Sequence, residues 1–210
     1  LQMWNISGLA PESYTRYLRP EITLPHPARG YVIPYGDSPL DNERVGELVY
    51  LDIIQHARDY LHICTPYLIL DDEMSTALKY AAKRGVDVKL ILPHIPDKQY
   101  AYLVARTHFP ELIRAGVKIY EYIPGFVHAK SFVSDDDVCT VGTINLDFRS
   151  LYLHFECGVF VYDNPVVAQV EADFQITLQH CQRITLANCR EFPLIKKLAG
   201  KALRLVAPLL

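Results

Sequence analysis

Residues 128–150, HAKSFVSDDDVCTVGTINLDFRS, hold two short apolar runs on either side of the acidic word SDDD. Such a break between two strand-like runs predicts an antiparallel hairpin. Residues two apart in a strand share a face, so His128 and Lys130 are expected on one side, with the small Ala129 on the other. The return run VCTVGT brings Thr143 and Asn145 back to the end where His128 and Lys130 sit. A third strand-like run, HFECGVFVYD at 154–163, carries Glu156 to the same end. Asp135 falls at the opposite turn, where it suits an anchor of the hairpin better than a contact to substrate.

Working outward, helix and strand signals alternate. Val45, Leu48, Val49, Ile53 and Ala57 have helical spacing, with Asp41 or Asn42 as the expected cap. YLHICTPY reads as a buried strand. A helix is then expected from Asp71 or Asp72 through Lys83, closed by Gly85. The strand VDVKLILP, a helix from Lys98 to Ala115 and the strand VKIYEYI follow, and a last helix is expected from Asn164 to about Gln182. Six of the fourteen prolines fall in residues 1–39, which predicts an extended leader with one strand from Tyr31 to Pro34. Alternating elements followed by bunched strands predict an α/β fold, a mixed β-sheet flanked by helices on both faces. The expected division is a leader over 1–30, one domain over 31–190 and a basic amphipathic helix over 191–210.

The 210 residues are 50% hydrophobic and 21% charged, enough for one sizeable core. A net charge of −3 supplies no whole-molecule field for nucleic acid. Cys64, Cys139, Cys157, Cys181 and Cys189 form no CxxC pair, which disfavours a zinc site or disulfide framework and fits reduced thiols. No run reaches 18 apolar residues. The chain begins at Leu1 without Met or signal peptide, so an internal piece of a longer protein is expected.

The residues at the strand ends suit phosphodiester chemistry. An unprotonated imidazole nitrogen of His128 can attack phosphorus while Glu156 accepts the other N–H. Lys130 offers a point charge to the non-bridging oxygens, and Thr143 and Asn145 add hydrogen bonds. Each group alone has an ordinary structural explanation; Glu156, for one, suits a satisfied buried carboxylate. It is their conjunction that points to a site. Tyr67, at a strand end, is a candidate to line it. Arg149 has two readings, a phosphate contact or, preferred, an ion pair with Asp147.

The pattern His128-x-Lys130-x4-Asp135, then Gly142-Thr143-x-Asn145 and Glu156, resembles the phospholipase D superfamily signature. TPYLILDD, AAKRGVDVKLILP, ELIRAGVKIYEY, HAKSFVSDD and GTINLDFRS resemble, in order, blocks from the C-terminal half of bacterial cardiolipin synthases, over about 32–182. The resemblance implies an α-β-α sandwich with His128, Lys130, Asp135 and Glu156 in the catalytic set, and Lys130, Thr143 and Asn145 on the substrate phosphate. It implies a phosphohistidine route from two phosphatidylglycerols to cardiolipin, with no metal or cofactor, at the cytoplasmic side of a bacterial inner membrane. It also implies a second HxKxxxxD unit. Of eight histidines only His128 is followed by x-Lys, so the second is expected from a preceding half or from a second copy. On its own the chain is then expected to be inactive. The alternatives are a lipid hydrolase or nuclease on the same scaffold, and a non-catalytic partner domain; the charge disfavours nucleic acid.

On a helical wheel, Leu194, Ile195, Leu198, Ala199, Ala202, Leu203, Leu205, Val206, Leu209 and Leu210 occupy one half, and Lys196, Lys197, Gly200, Lys201 and Arg204 the other. Two readings follow: a helix packing its apolar half on the domain, or one lying on an anionic membrane with Lys196, Lys197, Lys201 and Arg204 at headgroup level.

Overall fold

The computed structural model describes residues 2–8, 13, 15–18 and 29–209. Within the leader, α1 (Gln2–Ile6) and α2 (Thr15–Leu18) are short helices where an extended segment was expected; the rest of that expectation lies outside the described residues. The ordered domain runs β1 (Tyr31–Asp37), α3 (Val45–His56), β2 (Tyr60–Cys64), α4 (Asp72–Lys83), β3 (Asp87–Pro93), α5 (Gln99–Ala115), β4 (Lys118–Tyr122), β5 (Ser131–Ser134), β6 (Val138–Gly142), β7 (Glu156–Tyr162), α6 (Val166–Leu178), β8 (Cys181–Ile184), α7 (Leu186–Glu191) and α8 (Leu194–Leu205).

The eight strands form one mixed sheet in the order β1-β7-β6-β5-β2-β3-β4-β8. β2, β3 and β4 are parallel neighbours, and every other pairing is antiparallel. Apolar positions of α3, α4 and α5, including Tyr50, Ile54, Leu78 and Leu112, close a core with Leu61, Leu90 and Phe132 on one face. On the other face α6 covers Val133, Cys139 and Val161 with Val167, and Cys64 and Ile91 with Phe174. Helices therefore flank both faces, as the alternation of elements implies.

Local chemistry explains most boundaries. Asp71 caps α4 by accepting from the Met74 amide at 2.7 Å, and Gly85, at φ +101°, turns the chain into β3. α3 starts later than expected and is not capped by Asp41 or Asn42. The Asp41 carboxylate accepts from Glu43 N in the preceding turn, while Asp37 at the end of β1 accepts from Gly46 N at 2.8 Å and fills the capping role. The buried face of α3 is Tyr50, Ile53 and Ile54; Leu48, expected inside, is exposed. The helix expected to reach Gln182 stops at Leu178, because residues 181–184 form the edge strand β8 against β4.

Candidate active site

β5 runs antiparallel to β2, with Ser131 opposite Cys64, and Val141 of β6 faces Ser131 in turn. Gly142 of β6 lies opposite Gly158 of β7, and Glu156 opposite Asp37. The start of β5, the end of β6 and the start of β7 thus meet at the end of the sheet where β2 finishes. His128, Lys130, Thr143, Asn145 and Glu156 are gathered there. The close approach needs glycine at 142, since a Cβ there would stand 2.4 Å from the Cys157 carbonyl oxygen.

His128 and Lys130 precede β5 instead of lying within it, although Gly142 N still donates to Lys130 O at 3.2 Å. The two side chains differ in exposure. His128 is exposed, makes no side-chain hydrogen bond among the described residues and stands against Phe126, ring centroids 5.5 Å apart. Lys130 is 7% exposed, and its Nζ donates to His128 O at 2.7 Å. Burial pulls the Lys130 pKa down, while the nearby Glu156, Asp147 and Cys64 act in the other direction. No ion pair to Lys130 forms among the described residues. Two of its three N–H donors are left for a ligand.

Glu156 does not receive a hydrogen bond from His128. The Thr143 hydroxyl donates to Glu156 Oε2, and His154 Nδ1 lies 3.7 Å from Oε1. Thr143 also accepts from Cys157 N at 3.0 Å and donates its own amide to Cys157 O at 2.8 Å. In this structure its hydroxyl proton is shared between Glu156 and the Cys157 carbonyl, 3.2 Å away, where the sequence reading had it on a phosphate oxygen. Asn145 Nδ2 donates to Ser150 Oγ at 2.9 Å, and Asn145 Oδ1 is buried without a partner. Turning this amide over lets Ser150 donate to the oxygen and places the NH2 group in the buried position that Oδ1 now holds without a partner.

Asp135 sits at the far end of the β5–β6 hairpin, away from this group. At φ +54°, its carboxylate accepts from the amides of Arg58 at 2.7 Å, Asp59 at 3.0 Å and Tyr60 at 2.9 Å, tying the hairpin to the start of β2. Its carboxylate is thus occupied by three backbone amides at that turn. The preferred Arg149–Asp147 pair is absent as well. Asp147 accepts from Ser150 N at 2.7 Å and shapes the π-turn Arg149–Leu153, leaving Arg149 exposed. Tyr152 in that turn reaches Glu47 at 2.7 Å and also bonds Asp71, which pins the loop to α3 and α4.

Tyr67 does lie near the site: its ring is 6.3 Å from that of Phe126, and its hydroxyl donates to Asp97 at 2.6 Å. Phe126 and His154 were missed. Phe126 sits two residues before His128 on the same extended leg, a period-two signal open to sequence reading; His154 had none. Of the expected membrane-binding cations, Arg204 pairs with Glu111 at 3.0 Å and Lys197 donates to Arg190 O at 2.7 Å; Lys196 and Lys201 are exposed.

This fold is that of the phospholipase D class. It superposes on a phospholipase D family member, Nuc from Salmonella typhimurium, with a TM-score of 0.62 at 18% identity, covering 73% of this chain and 97% of that one. Phosphatidylserine synthase from Haemophilus influenzae matches with a TM-score of 0.68 at 21% identity, over 85% of this chain and 48% of that one. Residues 50–178 match the family described as "Cardiolipin synthase, PLD-like domain", and the chain belongs to that family. A cardiolipin synthase of Clostridium perfringens strain SM101 is 41% identical over 161 residues, 77% of this chain and 34% of the relative. The chain spans less than half the length of such curated relatives, from 32% to 45%. Among the described residues no helix is long and apolar enough to cross a membrane.

Proposed function

We propose that this chain is one catalytic half of a phosphatidyltransferase that makes cardiolipin from two phosphatidylglycerols. The observation carrying the reading is the pairing of an exposed His128 with a buried Lys130, the first without a side-chain hydrogen bond and the second with two donors unpartnered among the described residues. In the proposed reaction a His128 ring nitrogen bonds to phosphorus and the phosphorus–glycerol oxygen bond breaks. Glycerol leaves with a proton from the histidine of a second HxKxxxxD unit. A hydroxyl of a second phosphatidylglycerol then attacks phosphorus, the N–P bond breaks, and the hydroxyl proton returns to that second histidine. The two histidines are interchangeable in this scheme. Lys130 and a turned Asn145 amide stabilise the charge on the non-bridging oxygens. Glu156, steadied by Thr143, receives the second imidazole N–H when the ring swings onto it; such contacts commonly tighten only in the substrate complex.

The second unit comes from a preceding half of a longer protein, which agrees with the share of the relatives that this chain spans. The test is turnover of phosphatidylglycerol vesicles by this chain alone and after adding the N-terminal half of the enzyme. No activity alone and recovery on mixing is expected. Activity of the chain alone that rises with the square of its concentration would assign the second histidine to another copy, and release of phosphatidic acid in place of cardiolipin would make the protein a hydrolase.

A further inference from the structure

α8 is seated the wrong way round for a helix of a water-soluble domain. It packs on α5 through its basic half. Gly200 is buried so closely that a Cβ would stand 2.4 Å from Leu103 O, and Arg204 reaches Glu111 of α5. The opposite half faces outward: Ile195 is 81% and Leu205 86% exposed, with Leu194, Leu198 and Val206 also exposed. Of the two readings of this helix, packing of the apolar half on the domain does not match this seating, and a row of aliphatic side chains stands uncovered.

What flanks that row is positive. Residues 192–210 contain no Asp or Glu. Along one edge, α5, α7 and α8 enclose a groove of about 500 Å³, lined by Leu194 and Leu198 together with Arg114, Arg190 and Lys201. Its one acid, Glu111, is already held by Arg204. At the other end of α8, Leu203 and Ala207 pack with Ile69, Tyr67 and Phe148, and Ile69 N donates to Leu146 O, the residue after Asn145. The C-terminal end of α8 is thus packed against the segment that follows Asn145.

We infer that α8 lies in the plane of an anionic phospholipid bilayer, with its aliphatic row among the acyl chains and lipid phosphates in the groove at Arg114, Arg190 and Lys201. The charge is complementary, and the exposed row, Leu194, Ile195, Leu198, Leu205 and Val206, is aliphatic and carries none of the aromatic anchors that mark protein interfaces. This orientation delivers membrane-embedded substrate to the strand ends. The surface itself does not depend on the phosphatidyl-transfer reading.

The test is co-sedimentation of the full chain with vesicles of phosphatidylcholine alone and of equal parts phosphatidylcholine and phosphatidylglycerol. Binding should favour the anionic vesicles and weaken with salt. The double variant Ile195→Glu, Leu205→Glu should partition at least about tenfold more weakly without a lower melting temperature, since both side chains are exposed. Arg190→Glu with Lys201→Glu should abolish the preference for phosphatidylglycerol. Equal binding to both vesicle types, or unchanged binding by the first variant, overturns the inference. So does a wild-type dimer that the first variant converts to a monomer, because the row would then belong to a second copy.

Discussion

Replacing Asp135 by Ala separates scaffold from chemistry. Three amide hydrogen bonds to the carboxylate are lost, from Arg58, Asp59 and Tyr60. Charged acceptors can be worth more, but water reaches this turn, so about 1 kcal/mol each, near 3 in total, is a fair estimate. Alanine must also adopt the left-handed conformation at φ +54°, adding about 1 kcal/mol. A loss of about 4 kcal/mol lowers the melting temperature of a domain this size by about 8–16 °C. Asp135→Asn keeps the backbone preference and one acceptor oxygen, so its loss should be about half as large. Thermal melts followed by circular dichroism give the first quantity. Turnover in the assembled enzyme, well below both melting points, should stay within about threefold of wild type per folded molecule. An unchanged melt with a rate as low as that of His128→Ala would refute the anchoring role and return Asp135 to the catalytic set.

Three further substitutions follow. His108 is fully buried with Glu111 Oε1 3.4 Å from its Nδ1, and burial, with Arg204 nearby, outweighs that carboxylate and pushes its pKa down to about 4. The unfolded chain then takes up this proton first as pH falls from about 6.5 to 4, so stability drops by about 3 kcal/mol across that window. Urea titrations should show a shallower loss of stability in His108→Leu, and an equally steep loss would exonerate this ring. Gly200→Ala should cost about 1–3 kcal/mol through overlap with Leu103 O, and an unchanged melt would mean that α8 is not seated there. Lys130→Met should lower kcat/KM by about two orders of magnitude or more while leaving stability level or raised, because a poorly compensated buried cation is removed; loss of both together would point to a structural lysine.

Much of the fold was legible because the signals were local. The Asp71 cap, Gly85 and the apolar runs of β2 and β3 need no tertiary context. β8 was not legible: its four residues follow α6 after a two-residue gap, two are exposed, and only the edge of β4 makes them a strand. The cap of α3 failed for a related reason, since Asp37 acts from nine residues away. At the site, the period-two argument brought His128, Lys130, Asn145 and Glu156 to one end and sent Asp135 to the other. It did not foresee that Thr143 would take the Glu156 carboxylate, a choice set by the β6–β7 register. The wheel of α8 separated its faces correctly but left open which one the domain would claim. Gly200 was the clue, being the only place on the helix without a side chain to hold α5 away.

The central claim is that His128 takes part in the bond-breaking step. Single-turnover release of labelled glycerol from phosphatidylglycerol, by full-length enzyme with and without His128→Ala, tests it directly. Because His128 is exposed and its side chain makes no hydrogen bond among the described residues, the variant should melt with the wild type. The account predicts a drop in the first-turnover rate of about a thousandfold or more. A well-folded variant releasing glycerol within tenfold of the wild-type rate would contradict it.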